Sequence, residues 1–431
     1  MGTGRTEGRP HSLPIAPLAP PARRSLPIAA DARDVDRVHR PIYAVWEITL
    51  QCDLACRHCG SRAGRARPDE LTTAEALDVV AQMAELGVKE VTLIGGEAYL
   101  RDDWTELVRA IRARGMLCSI TTGGRAFTAE RARAAKDAGV QAVSVSIDGL
   151  RETHDRVRAL QGSFDAAMES IANLQSAGLT VLSNTQINRW NLGELEAVFD
   201  LLVERRIHSW LMQITTAMGR AGDEPDLLLE PYQVLDVIPR LARLRLRADA
   251  AKLAMWPGNN IGYFGPHEAV LRRTKPDKHR GKCSAGRQTL GLEANGDVKG
   301  CPSLPSADYV GGNLRDHKLA DIWERTAPLR FMRDRTPDDL WGFCRGCYYA
   351  EACLAGCNWT THVLFGRTGN NPYCHHRALE LLRQGKRERL VRTSAADGLP
   401  FDFGRFEIVE EPWPCEDLAR YAAMTQPADT P

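Results

Sequence analysis

The 431-residue sequence lacks any apolar run that approaches the roughly 18 residues needed to cross a bilayer, which excludes a membrane-spanning helix. It has almost no net charge. With 56 basic and 55 acidic side chains the balance is +1, which gives no general pull toward nucleic acid or an anionic membrane. A disordered composition is also missing, because 43% hydrophobic residues can offset chain entropy. Nor is there a secretion signal: Arg23-Arg24 is followed by SLPIAADARDVDR, where Pro27 and early acidic residues leave no apolar segment. These absences favour a cytoplasmic, reducing location. Cysteine is sparse on average, twelve in all, and far too dilute for a small disulfide scaffold. The twelve are unevenly placed, however, and tight clusters without a secretion signal read as metal sites before disulfides.

Residues 1–40, rich in Pro, Ala and Arg, read as a flexible extension. From residue 41 a rhythm sets in. Strand-like runs at 43–50, 91–97, 117–124, 142–149, 180–188 and 208–215 alternate with helical stretches. Gly87, Gly115, Gly139 and Gly178 each follow a helical run just before the next strand, as C-caps do. Six β-then-α units predict an α/β fold with a parallel sheet, an open (β/α)6 partial TIM-like barrel over 41–250. Residues 251–274 read as a linker, 275–385 as a loop-rich, Cys-rich domain, and 386–431 as a C-terminal helix and tail. RALELLRQGKRERLVR reads as one helix. Glu97, Gly123, Asp148 and Asn188 fall at strand ends, which form the catalytic face of such barrels.

Cys52, Cys56 and Cys59 occupy the loop after the first strand. A structural zinc site usually takes four ligands from two separated halves, and here only His58 could be a fourth. Three thiolates also suit three irons of a [4Fe–4S] cube, leaving one iron open. CDLACRHC after a first strand resembles the CxxxCxxC motif of the radical S-adenosylmethionine (SAM) superfamily. That resemblance implies an open iron that chelates SAM and a one-electron cleavage that releases a 5′-deoxyadenosyl radical. It also implies SAM contacts from Gly95, Gly96 and Glu97, where Ala98 replaces the usual proline. Ser146 in SVSIDG matches the family's SAM-contacting serine, and Asn188 is a further candidate. Asp148 is read equally as a cap for the next helix. Cys118, flanked by apolar residues in a strand, reads as an inert buried thiol.

The second group, Cys283, Cys301, Cys344, Cys347, Cys353, Cys357 and Cys374, resembles the seven-cysteine SPASM domain of some radical SAM proteins. The resemblance implies two auxiliary [4Fe–4S] clusters. Cys344, Cys347, Cys353 and Cys374 would hold one, and Cys283, Cys301 and Cys357 the other. The second set then lacks a fourth thiolate, for which His279, His375 and Cys415 are candidates. The alternative is a pair of zinc ions in the same region.

The implied activity is oxidative cross-linking or dehydrogenation of a ribosomally made peptide or protein; the general base is not legible. The implied electron donor is a flavodoxin or ferredoxin. The 40 residues ahead of the barrel are too few for a fused leader-binding module, so a separate leader-binding protein is expected. Pro302 stands where formylglycine-forming members carry a basic Asp, which counts against that reaction. Radical chemistry on a tetrapyrrole stays open, as does a non-catalytic iron–sulfur or zinc scaffold.

Overall fold

The computed structural model describes residues 28, 31–262, 264–274 and 282–424. Strands β1 (Tyr43–Glu47), β2 (Glu90–Ile94), β3 (Leu117–Thr122), β4 (Ala142–Ser146), β5 (Thr180–Ile187) and β6 (Ser209–Ile214) pair in parallel and in chain order. Each intervening helix buries an apolar stripe. Thr73–Leu86 is representative: Thr72 and Glu75 close a reciprocal capping box, and Val79, Val80 and Met83 are buried. Gly87 ends this helix at φ +99°, a conformation that a side chain would strain.

The sheet extends beyond the six expected strands. β7 (Ala254–Pro257) adds parallel to β6, within the stretch read as linker, and β8 (Thr289–Leu292) adds parallel to β1. β9 (Asp297–Lys299) and β10 (Gly312–Asn313) continue antiparallel, for an order β10-β9-β8-β1-β2-β3-β4-β5-β6-β7. The ends, β10 and β7, do not meet, so the barrel is open and TIM-like only in part. β8 ties the Cys-rich region to the first barrel strand through the register Tyr43↔Thr289 to Trp46↔Leu292.

The C-terminal reading needs correction. The helix ends at Arg383, and Gly385 (φ +68°) turns the chain into a hairpin of β11 (Lys386–Ser394) and β12 (Arg405–Pro412). Cross-strand pairs Lys386–Glu410 and Arg387–Glu411, each 2.6 Å, favour the strand pairing over a charged helix. A final helix spans Cys415–Met424. Among the described residues, no helix is long and apolar enough to cross a membrane.

Candidate active site

The loop after β1 turns back on itself to bring Cys52, Cys56 and Cys59 together. The Cys52 N–H donates to the Gly64 carbonyl at 3.0 Å, and the Cys59 N–H to the Cys56 carbonyl at 3.3 Å. Burial pushes the Cys52 thiol up to about 12, with the Glu97 charge adding to the shift. Such thiols become good ligands once a metal charge offsets their burial.

The Gly95-Gly96-Glu97 edge is pressed against this loop. A Cβ on Gly95 would lie 2.4 Å from the Thr49 carbonyl oxygen, and one on Gly96 2.1 Å from that of Gln51. Glycine is therefore required here by the contact between backbones. The Gly96 and Glu97 N–H groups already donate to the Thr49 and Gln51 carbonyls. The buried Glu97 carboxylate accepts from the Thr122 hydroxyl at 2.5 Å and the Gly123 N–H at 2.6 Å. Burial nevertheless pushes it up to about 7. A Cys52 sulfur, an Asp53 oxygen and a Glu97 oxygen lie within 4.8 Å of one another.

A buried charge network lies behind the thiols. Asp148, fully buried, pairs with Arg158 at 2.6 Å and His58 at 3.2 Å. Its Oδ1 accepts from the Gln186 N–H at 2.8 Å. Burial opposes ionisation of Asp148, but Arg158 and His58 outweigh it and hold the carboxyl well below the usual range. Arg158 Nη1 in turn donates to Cys56 Sγ at 3.6 Å. Asp148 is thus an anchor for the cysteine loop, and His58 faces that carboxylate.

A cavity of about 930 Å3 opens at this end of the barrel. Alternate residues of the strands face it: Ser119 and Thr121 on β3, Ser144 and Ser146 on β4, Asn184 and Gln186 on β5. Ser146 and Ser144 both bond Asn184, at 3.2 and 3.0 Å. Asn188 does not reach the cavity. Its amide is spent inside a turn, donating to the Gln186 carbonyl at 3.0 Å and accepting from the Trp190 N–H at 2.9 Å. Asn184, two pleats earlier, does line the cavity, and the period-two alternation of β5 carries that signal.

Cys283, Cys301 and Cys357 line the same cavity. Cys344, Cys347, Cys353 and Cys374 line a separate small pocket walled by Phe264, Phe343, Tyr349 and His376. Backbone N–H groups of Asn371 and Tyr349 donate to Cys344 Sγ and Cys347 Sγ, each at 3.4 Å. Burial pushes Cys301 and Cys374 up to about 12 and Cys357 up to about 11. No fourth cysteine joins the cavity-lining set among the described residues. Cys415 is exposed at the start of the last helix, and His375 packs toward His267 at 5.9 Å. His279 lies outside the described residues.

Two family descriptions match the chain: the radical SAM superfamily over residues 46–202, and an iron–sulfur cluster-binding domain, SPASM, over residues 283–348. The chain is a radical SAM enzyme with a SPASM domain. It is 29% identical over 348 residues to the AdoMet-dependent heme synthase of Methanosarcina barkeri, covering 78% of this chain and 97% of that one. It is equally 29% identical over 326 residues to the mycofactocin maturase MftC of Mycolicibacterium smegmatis, covering 74% and 78%. Among solved structures, Streptococcus suis SuiB bound to precursor peptide SuiA superposes with a TM-score of 0.59 at 15% identity, covering 78% and 75%.

A radical SAM/SPASM enzyme uses a [4Fe–4S] cluster with SAM and carries auxiliary iron–sulfur clusters. The donor sets here fit that demand: all ten thiols lie in three groups, each free of disulfides. Sequence reasoning missed Arg158 and Asn184. The first lies 102 residues from the sulfur it contacts, so only the fold reveals it.

Proposed function

We propose that this radical SAM/SPASM enzyme oxidatively modifies a ribosomally made peptide or protein, by cross-linking or dehydrogenation. In this reading Cys52, Cys56 and Cys59 hold the SAM-cleaving cluster. Gly95, Gly96, Glu97 and Ser146 form the edge that SAM meets. Cys344, Cys347, Cys353 and Cys374 hold one auxiliary cluster, and Cys283, Cys301 and Cys357 the other. When bound, the first cluster and SAM supply a 5′-deoxyadenosyl radical that abstracts hydrogen from the substrate. The protein's share is placement. Arg158 and Asp148 fix the cysteine loop, and the barrel wall holds the substrate in reach while excluding water.

The supporting observation is the cavity lining. Its polar side chains are mostly hydroxyls and amides, set among apolar ones, and its one described guanidinium, Arg158, is already committed to Asp148. The carboxyls of Glu47 and Glu90, both raised by burial, also line it. Such a wall suits the amides and side chains of a peptide. A tetrapyrrole carrying several carboxylates would call for uncommitted cations. The heme synthase relative favours that second reading.

The deciding assay is anaerobic turnover with SAM and a reductant on two substrates, the product of a neighbouring short precursor reading frame and Fe-coproporphyrin III. The expected result is a peptide lighter by two hydrogens. An unaltered peptide beside a modified tetrapyrrole would overturn the peptide reading in favour of the second. A flavodoxin or ferredoxin is the proposed electron donor. A separate leader-binding protein is the proposed second partner, to be sought by co-purification; unaided processing of the full precursor would rule it out. Reduced thiols throughout suit a cytoplasmic setting.

A further inference from the structure

We propose that Phe401, carried by the connection between β11 and β12, is a substrate-positioning residue set between the two three-cysteine groups. This rests on the reading that a substrate occupies the large cavity between them. The residue lies outside both stretches matched by the family descriptions. It reaches the cavity from near the end of the chain and is one of its lining residues.

Phe401 touches both cysteine-bearing segments. Its N–H donates at 3.2 Å to the carbonyl of Gly60, the residue after Cys59. Its ring lies under the Lys299 ammonium, 4.0 Å from the centroid, two residues before Cys301. Met218 and Val363 pack with it in one apolar cluster, joined by Trp359, two residues after Cys357. A substrate in the cavity that reaches from Gly60 beside the first group toward Cys283, Cys301 and Cys357 has this ring on its wall. Lys299 is itself committed to Glu293 at 2.7 Å, so the ring offers an apolar face beside a neutralised cation.

The backbone is held in place at a cost. Phe401 has φ +58° and Arg62, opposite it in the cysteine loop, has φ +49°; both are non-glycine residues in the left-handed region. Between them runs a latch. Arg62 Nε donates to Asp402 Oδ1 at 2.7 Å, and the Gly219 N–H donates to the Asp402 carbonyl at 2.8 Å. Asp402 Oδ2 also accepts from the Gly398 and Leu399 N–H groups, at 2.6 and 2.9 Å. A connection that served only to join two strands has no need of a strained aromatic residue latched to a cysteine loop some 340 positions earlier in sequence.

The test compares F401A and F401Y with the unaltered chain, on whichever of the two substrates above turns over. That unaltered arm reports on the function reading, and the variants report on Phe401. F401A should lower product formed per 5′-deoxyadenosine by about tenfold or more, because a displaced substrate carbon is no longer in line for abstraction. F401Y, which keeps the ring, should restore most of it. Hydrogen exchange at residues 395–404 should slow when that substrate binds without reductant. An unchanged product ratio in F401A, equal loss in F401Y, or exchange indifferent to substrate would each overturn the proposal. If F401A fails to load iron, D402N replaces it. This variant keeps the ring and loosens the latch, so it should raise KM and lower the product ratio; values equal to those of the unaltered chain overturn the proposal.

Discussion

The two groups of three cysteines and the group of four are built differently. Cys283, Cys301 and Cys357 share a large cavity with the strand ends of the barrel, whereas Cys344, Cys347, Cys353 and Cys374 sit beside aromatic rings in a pocket of their own. The donors to sulfur differ as well. Backbone N–H groups reach sulfur in both, at Cys52 in the barrel loop and at Cys344 and Cys347 in the four-cysteine pocket, but in the barrel loop a buried guanidinium also reaches Cys56. A group short of one thiol faces the space where a substrate fits, and the complete group is walled from it. The first arrangement can sense or bind a ligand. The second suits electron passage, since it lies outside the cavity that a substrate would fill.

Removing one group at a time breaks this comparison most sharply. The intact chain, reconstituted without oxygen, should hold about twelve irons as three four-iron clusters. Changing Cys52, Cys56 and Cys59 together to Ala should bring that to about eight and abolish 5′-deoxyadenosine formation. Changing Cys283, Cys301 and Cys357 should cost the same iron but spare SAM cleavage while product is lost. Iron analysis and chromatography of the nucleoside separate the cases. If both triple variants still cleave SAM, the barrel loop is not the cleaving site.

Arg158 tests the difference in sulfur donors. R158M leaves the fully buried Asp148 with His58 as its remaining ion-pair partner, and breaking such a pair costs about 3–5 kcal/mol. Denaturant unfolding should register that loss, and R158K should recover part of it. Loss of a cation beside Cys56 should also make the barrel cluster harder to reduce, shifting its potential negative. The auxiliary potentials should stay where they are. A uniform shift in all three would mean that Arg158 acts through general loosening of the fold.

Much of this was legible in the chain and some was not, for physical reasons. The six strand–helix units announce themselves because their helices carry apolar stripes and end at glycines such as Gly87. The cysteine groups are legible because metal ligation constrains spacing. β7 escapes because four residues ending in Pro257 are too short for periodicity to register. The hairpin after Gly385 escapes because its strands are largely charged and exposed. Their pairing is paid for by partners in the opposite strand, which a single-strand pattern does not contain. The turn that takes up the Asn188 amide is not legible, since sequence fixes neither where a strand ends nor which way its last residue turns; Asn184 lies on the face that meets Ser146.

Substrate binding offers a gentler probe. If the cavity-lining auxiliary group faces the substrate and the four-cysteine group does not, adding substrate should shift the electron paramagnetic resonance of one reduced auxiliary centre. The other spectrum should remain as it was. The C283A/C301A/C357A chain should then show no substrate-dependent shift in its surviving auxiliary signal. A shift that persists there would place the substrate against the walled pocket.

The smallest expected effect concerns Glu47, a carboxyl on the cavity wall; no carboxyl lines the four-cysteine pocket among the described residues. Burial pushes Glu47 up to about 8, with Arg67 (3.4 Å away) acting against the shift and Glu293 adding to it. The folded chain therefore keeps a proton there that the unfolded chain releases near the ordinary glutamate value of 4.5. Its contribution to stability is full below that value and is lost as pH rises through about 8. Glu293 runs the other way. Burial opposes its ionisation, but Lys299 and Arg67 outweigh it and lower the carboxyl to about 2, so its contribution fades only in acid. The two windows do not overlap. Between pH 5 and 9, Tm should decline with a slope that E47Q reduces, because a neutral amide has no proton to lose. If the slope in E47Q matches that of the unaltered chain, Glu47 is ionised throughout, and the cavity wall carries a negative charge near its auxiliary cysteines at every pH in the range.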